Sequence, residues 1–225
     1  MDTTAVIVGA GQAGLAMSSC LTRRGIDHVV LERGRIGERW QSERWDSLQL
    51  LTPNWMTRLP GFRYDGPDPD GFMTMPEVAA FFRAYAQSFS APVIGDTTVF
   101  GVTKNNGRFE LQTSTGTYRS RFLVAATGAS ATPNIPAAAS DAPSRLDQTT
   151  PKFYQRPEQL PDGGVLVVGA SASGIQLARE IHESGRPVTI AVGGHTRLPR
   201  RYRGVDIHQW FDWMGTLDRT YDTFD

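Results

Sequence analysis

The chain has 225 residues, 40% hydrophobic and 20% charged, with 23 Gly and 14 Pro, which excludes a disordered or fibrous protein and suffices for a substantial core. Lys plus Arg (23) balances Asp plus Glu (23), and no basic stripe follows a predicted helix, so neither nucleic acid nor a membrane surface is an expected partner. The single cysteine, Cys20, excludes an internal disulfide, a CxxC pair and a cysteine-rich metal site, and points to a reducing, cytoplasmic setting.

Met1 to Thr4 carry no basic n-region, and the apolar run Ala5 to Val8 is too short for a signal peptide or a membrane span, so it reads as a buried strand. Gly9-Ala10-Gly11-Gln12-Ala13-Gly14 follows, then a helix-patterned stretch to Gly25 and a second strand, His28 to Leu31. That is a βαβ unit. Gly9 permits the tight strand-to-helix turn, Gly11 lets backbone approach a pyrophosphate, and Gly14 lets the helix pack on the strand. The helix N-terminus then offers unpartnered N–H groups and the positive end of its dipole to phosphates. Past the second strand stands Glu32, placed to accept hydrogen bonds from an adenosine ribose without a 2′-phosphate, so this unit reads as a site for FAD or NAD.

Arg33 to Trp40 and Trp45 to Asn54 bring two Trp with several polar side chains; each Trp suits either a loop-rich core or the wall of a planar aromatic cofactor. Thr74-Met75-Pro76-Glu77 is a capping box, and Val78, Phe81, Phe82, Tyr85 and Phe89 share a face, which predicts a scaffold helix over 74–90. Residues 97–126 read as an antiparallel β-meander with turns at Asn105-Asn106-Gly107 and Ser114-Thr115-Gly116; its last strand, from Phe122, runs into Ala126-Thr127-Gly128. A Pro-rich linker spans Pro133 to Pro161.

At an offset of 160 residues the opening repeats, pairing Ala5–Gly25 with Val165–Gly185. Val165 to Val168 form the strand, Gly169-Ala170-Ser171-Ala172-Ser173-Gly174 the turn, and Val188 to Val192 the second strand. The slot that holds Glu32 in the first copy holds Val192 here, with His195, Arg197, Arg200, Arg201 and Arg203 close behind. A carboxylate would repel a 2′-phosphate, whereas a guanidinium pairs with it, so this unit reads as an NADP(H) site; for any single Arg a solvated basic loop is the alternative. The fold class is therefore α/β. It comprises two Rossmann-like dinucleotide-binding units, each three layers around a parallel sheet, and a small antiparallel β-meander. They divide as 1–160 and 161–225, with the second unit incomplete.

Gly9 to Leu15, Glu32, Gly37-Glu38-Arg39-Trp40, Ala126-Thr127-Gly128 and Gly169 to Gly174 together resemble the two-dinucleotide-binding-domain flavoproteins, and within them the flavin-containing monooxygenase group. The resemblance implies FAD on the first unit, with Glu32 on the ribose, Trp40 near the flavin, and Arg33, Arg39, Thr127 and Gly128 around it. It implies NADPH on the second, with Gly169, Ser171, Ala172, Ser173, Gly174, His195, Arg197 and Arg200 in the binding set. It further implies that NADPH reduces the flavin, that O2 adds to give a peroxyflavin, and that this oxygenates a small organic substrate. No catalytic side chain is assigned, and the binding of any metal is not expected.

Three departures from the group stand out. The Baeyer–Villiger fingerprint, F-x-G-x-x-x-H, is absent, and Gln148 sits about where its His would be. Ser171 replaces the middle Gly of the second loop. Only 56 residues follow Gly169, so the chain is expected to be the N-terminal part of a longer protein. Disulfide reductases of the same architecture need a cysteine pair, and no G-x-S-x-G nucleophile elbow occurs. The competing reading is a nucleotide-binding module without turnover.

Overall fold

A computed structural model describes residues 1–129, 131–194 and 198–220. Its elements in chain order are β1 (Asp2–Val8), α1 (Gln12–Thr22), β2 (His28–Leu31), α2 (Glu38–Ser42), β3 (Arg58–Leu59), β4 (Phe62–Arg63), α3 (Met75–Ser88) and β5 (Val93–Ile94). The meander supplies β6 (Val99–Asn105), β7 (Arg108–Thr113) and β8 (Gly116–Ala125). After the linker come β9 (Val165–Val168), α4 (Ala172–Glu183), β10 (Val188–Ala191), β11 (Arg201–Tyr202), β12 (Val205–Asp206) and α5 (Ile207–Trp213).

The main sheet has the order β5-β2-β1-β8-β7-β6. Its first four strands run parallel; β7 pairs antiparallel with β8 and β6 antiparallel with β7, so β7 runs against the first four and β6 runs with them. The meander is thus continuous with the parallel sheet. Its last strand is longer than the run from Phe122 suggested, because Tyr118 and Ser120 are buried while Arg119 and Arg121 face solvent, the two-residue period of a half-buried strand.

β1 and β2 are apolar on both faces because both faces are covered. Val6, Val29 and Leu31 meet Leu111 of β7 and Tyr118 of β8. On the other face Ile7 and Val30 meet Leu15 of α1 and Val78, Phe82 and Tyr85 of α3. The expected capping box starts α3: the Glu77 carboxylate accepts from the Thr74 backbone N–H and hydroxyl, each at 2.7 Å. The same two bonds hold the Glu77 carboxyl below its usual range.

In the second unit β9 pairs parallel with β10, Val165 opposite Val188, which is the pairing of Ala5 with His28 moved by the repeat. α4 covers one face through Leu177, Ala178 and Ile181. Leu177 and Ile181 also join a buried cluster with Trp45, Leu48 and Met75 of the first unit and Tyr154 of the linker, so the two units share a core. The opposite face of β9 is open, with Leu166 61% and Val168 67% exposed. In α5 the ring of Trp210 meets Tyr202 and Trp213 edge-on, yet Trp213 is largely exposed. No helix among the described residues is long and apolar enough to cross a membrane.

Contiguous exposed apolar surface binds hydrophobic dyes. The purified 225-residue chain is therefore expected to enhance dye fluorescence, and Leu166→Thr with Val168→Thr should reduce it while changing stability by no more than about 0.5 kcal/mol per exposed site. Dye binding that is absent, or unmoved by the pair, would contradict an open β9 face.

Candidate cofactor site

At the end of β1 the chain turns at Gly9, whose φ of +108° L side chains rarely adopt. A Cβ on Gly9 would lie 2.5 Å from the Ala126 carbonyl oxygen, and one on Gly14 would lie 1.8 Å from the Gly9 carbonyl oxygen. The chain's own packing demands both glycines. Gly11 is different: a Cβ there meets no protein atom within 4 Å. Gly11 is the N-cap of α1, no side chain caps that end, and Gln12 and Ala13 beside it are exposed. The result is an open cradle of backbone N–H groups, the shape a pyrophosphate requires.

Three further segments converge on this cradle: the end of β2, α2 and the end of β8. Glu32, at the end of β2 and 8% exposed, accepts the Ala10 N–H through Oε2 at 2.6 Å and the Gly34 N–H through Oε1 at 3.3 Å. A carboxylate has further lone pairs, so a ribose hydroxyl can still be accepted. The Gly37 N–H donates to the Ala10 carbonyl at 3.1 Å, which ties α2 to the loop. Thr127 and Gly128 follow β8, and a Cβ on Gly128 would lie 3.1 Å from Arg39 Nη1. Arg39 pairs with Glu43 at 3.5 Å, and Arg33 pairs with the other oxygen of the same carboxylate. Trp40 is partly buried between the two core clusters, with the Arg44 guanidinium 5.7 Å from its ring centre.

A cleft of about 490 Å³ opens between α2 and α3, walled by Trp40, Arg44, Trp45 and Arg83 among others. Burial, and then the charge of Arg39, lowers the Arg44 guanidinium from its ordinary value. At its rim Arg35 donates to Glu38 at 2.9 Å, and this pairing, against the effect of burial, holds the Glu38 carboxyl down to about 2. At the seam between the units, burial raises the Glu180 carboxyl despite the Ser47 and Tyr154 hydroxyls beside it. The Tyr154 hydroxyl is itself pushed up, by burial first and then by the Glu180 charge.

The second loop repeats the first. Gly169 has φ +103°, a Cβ on Gly174 would lie 2.0 Å from the Gly169 carbonyl oxygen, and Ser171 is the N-cap of α4 with no side-chain capping bond. Ala172 and Ser173 open α4 and Val192 is 55% exposed. His195 and Arg197 lie outside the described residues. Arg200 is turned elsewhere: it donates to the Leu51 carbonyl at 2.6 Å and pairs with Asp206 at 2.8 Å.

Sequence reasoning missed Glu43, although its four-residue spacing from Arg39 on one helix was a signal. It also missed the partners of Arg200, for which no local spacing gives a sign.

This arrangement, a glycine-cradled βαβ unit carrying a terminal carboxylate and a second glycine-cradled βαβ unit docked against it, is that of a protein with two dinucleotide-binding units. Residues 6–208 match the pyridine nucleotide-disulphide oxidoreductases, and the chain belongs to that family. It is 38% identical over 215 residues to an uncharacterised CzcO-like oxidoreductase of Geobacillus kaustophilus, a match covering 95% of this chain and 61% of that relative. A variant of a flavin monooxygenase from Stenotrophomonas maltophilia superposes with TM-score 0.75 at 25% identity, covering 94% of this chain and 62% of that one. An oxidised steroid monooxygenase bound to NADP shares the fold, with TM-score 0.58, 23% identity and coverage of 85% and 38%. The chain thus spans between about half and three fifths of the length of the curated relatives it matches.

The two kinds of glycine separate by stability. Gly14→Ala drives a methyl into the Gly9 carbonyl and is expected to cost about 1–3 kcal/mol, as overpacking does. Gly11→Ala, pointing into open space, should leave the melting temperature almost unchanged. Thermal melts of both variants check this, and equal losses would refute the assigned geometry.

Proposed function

We propose that this chain carries the FAD and NADPH sites of a flavin monooxygenase, with residues 1–160 holding FAD and 161–225 NADPH. The observation that carries the reading is the open cradle at Gly11 together with the Glu32 carboxylate, which accepts the Ala10 N–H of the same loop. In this reading Gly9 shapes the turn, and Gly11, Gln12, Ala13 and Gly14 offer N–H groups to the pyrophosphate. Glu32 orients the adenosine ribose. Arg33, Arg39, Trp40, Thr127 and Gly128 line the rest of the FAD site, with Glu43 fixing the two guanidiniums. Gly169, Ser171, Ala172, Ser173 and Gly174 form the second cradle, and His195 and Arg197 take the 2′-phosphate of NADPH.

FAD bound there supplies two-electron chemistry, drawing on NADPH and spending the electrons on O2 and a small organic substrate. The protein's own part is binding, orientation and exclusion of water from the seam between the units. The likeness to the Stenotrophomonas flavin monooxygenase supports oxygenation, and the NADP-bound steroid monooxygenase supports the second nucleotide. Disulfide reduction is disfavoured because these 225 residues hold one cysteine, Cys20, within α1. A reducing cytoplasmic setting suits that cysteine.

The test is a visible spectrum of the purified protein: flavin absorbance at about 450 nm that bleaches on addition of NADPH. Gly11→Val, which fills the cradle without touching the fold, should abolish flavin retention. A colourless wild type would favour a nucleotide-binding module without turnover, and normal flavin content in Gly11→Val would remove the site from Gly11.

NADPH should be preferred over NADH, because Val192 stands where the first unit has Glu32. Val192→Glu places a carboxylate against the 2′-phosphate and is expected to cut the NADPH to NADH ratio of kcat/KM by roughly tenfold, about 1.4 kcal/mol. Arg197→Ala should lower the same ratio. If neither variant moves it, the preference does not arise at this strand end.

A further inference from the structure

Arg200 belongs to the second unit, but its guanidinium faces the first. Nη1 donates to the Leu51 carbonyl at 2.6 Å, and the planar group lies 4.9 Å from the centre of the Phe72 ring. Nη2 returns to its own unit, 2.8 Å from Asp206 Oδ2. Asp206 is fixed in turn, since its other oxygen caps α5 by accepting the His208 N–H and contacts the His208 ring, both at 2.9 Å. Burial raises the Asp206 carboxyl, but the bonds from His208 and the Arg200 charge outweigh it and leave it below its usual range, so it stays ionised for Arg200.

The segment that Arg200 grips is itself pinned to the first unit. Gln49 bridges to Thr74, the Leu50 N–H donates to the Met73 carbonyl at 2.9 Å, and the Asn54 N–H to the Gly71 carbonyl at 2.9 Å. From α4, Gln176 reaches the Gln49 carbonyl at 3.5 Å. A guanidinium holds two directed bonds in a fixed planar fork that also stacks on a ring, an arrangement a compact lysine ammonium reproduces less well.

We propose that Arg200 is a positioning residue that clamps the second unit to the Gln49–Asn54 segment, and so fixes the relative placement of the two nucleotide sites, and that it is not a 2′-phosphate ligand. The proposal rests on the two-nucleotide reading above, and it assigns the clamp to Leu51, Phe72 and Asp206.

The experiment compares Arg200→Met, Arg200→Lys and Asp206→Asn in the purified protein by amide hydrogen exchange and by flavin reduction with NADPH and NADH. Arg200→Met and Asp206→Asn should both speed exchange at Leu50 to Thr52, with Arg200→Lys between them and the wild type. In Arg200→Met the limiting rate of flavin reduction should fall by roughly tenfold or more, as misplacement of reacting partners does. The NADPH to NADH ratio should stay within about twofold of the wild type, since no cofactor contact is removed. Loss of the NADPH preference in Arg200→Met would make it a phosphate ligand and overturn the proposal. Exchange unchanged in both Arg200→Met and Asp206→Asn would overturn it equally. A wild type without flavin would end the functional reading, while the exchange measurement would still decide whether the clamp exists.

Discussion

The carbonyl oxygen of Gly9 and the α-carbon of Gly14 approach so closely that no side chain fits between them, and the architecture of the first unit follows from that contact. It seats α1 hard against the turn leaving β1, which aims the first N–H groups of the helix into the space before Gly11. It also brings Gly9 against Ala126, so the ends of β1 and β8 meet beside the same space. Gly174 makes the same approach to Gly169 in the second unit. A single steric condition, met twice, thus sets two helix termini toward open cradles.

Charge then distinguishes what geometry leaves alike. In the first unit one carboxylate, Glu32, is bound to the glycine loop, and a second, Glu43, gathers Arg33 and Arg39. The corresponding strand end in the second unit carries the apolar Val192, where the first unit has a carboxylate. Both Arg200 and Asp206 are spent on holding the units together. Arg200, though it stands in the basic run after β10, is thus engaged within the fold.

The repeat, the glycine spacing, the α3 capping box and the order of the two βαβ units and the meander were legible in the sequence because each is a local pattern (a period, a cap, a turn residue), whereas short elements such as α2 and the edge strand β5 were not. The α/β class with two Rossmann-like units followed from them, and the family match and the superposition agree with it. The continuity of the meander with the main sheet was not legible, since the pairing of β8 with β1 joins Val8 to Ala125 across the whole intervening chain. Nor was the turning of Arg200 toward Leu51, a hydrogen bond between residues 149 positions apart. Local spacing shows which residue types stand ready, and only the folded chain shows which of them meet.

The central place of β1 also shapes how the protein comes to exist. β1, Asp2 to Val8, finds β2 soon after it in the chain, but its other edge waits for β8, which ends at Ala125. Until then Val6 lacks the Leu111 and Tyr118 side chains that cover its face of the sheet, and a bare parallel edge is offered to any neighbouring strand. Because contacts so remote in sequence are slow to form, the first unit closes late, after β2, α3 and the meander have been made. The growing chain therefore carries an unpaired strand edge through most of the synthesis of its first unit, open to pairing with other chains until β8 arrives.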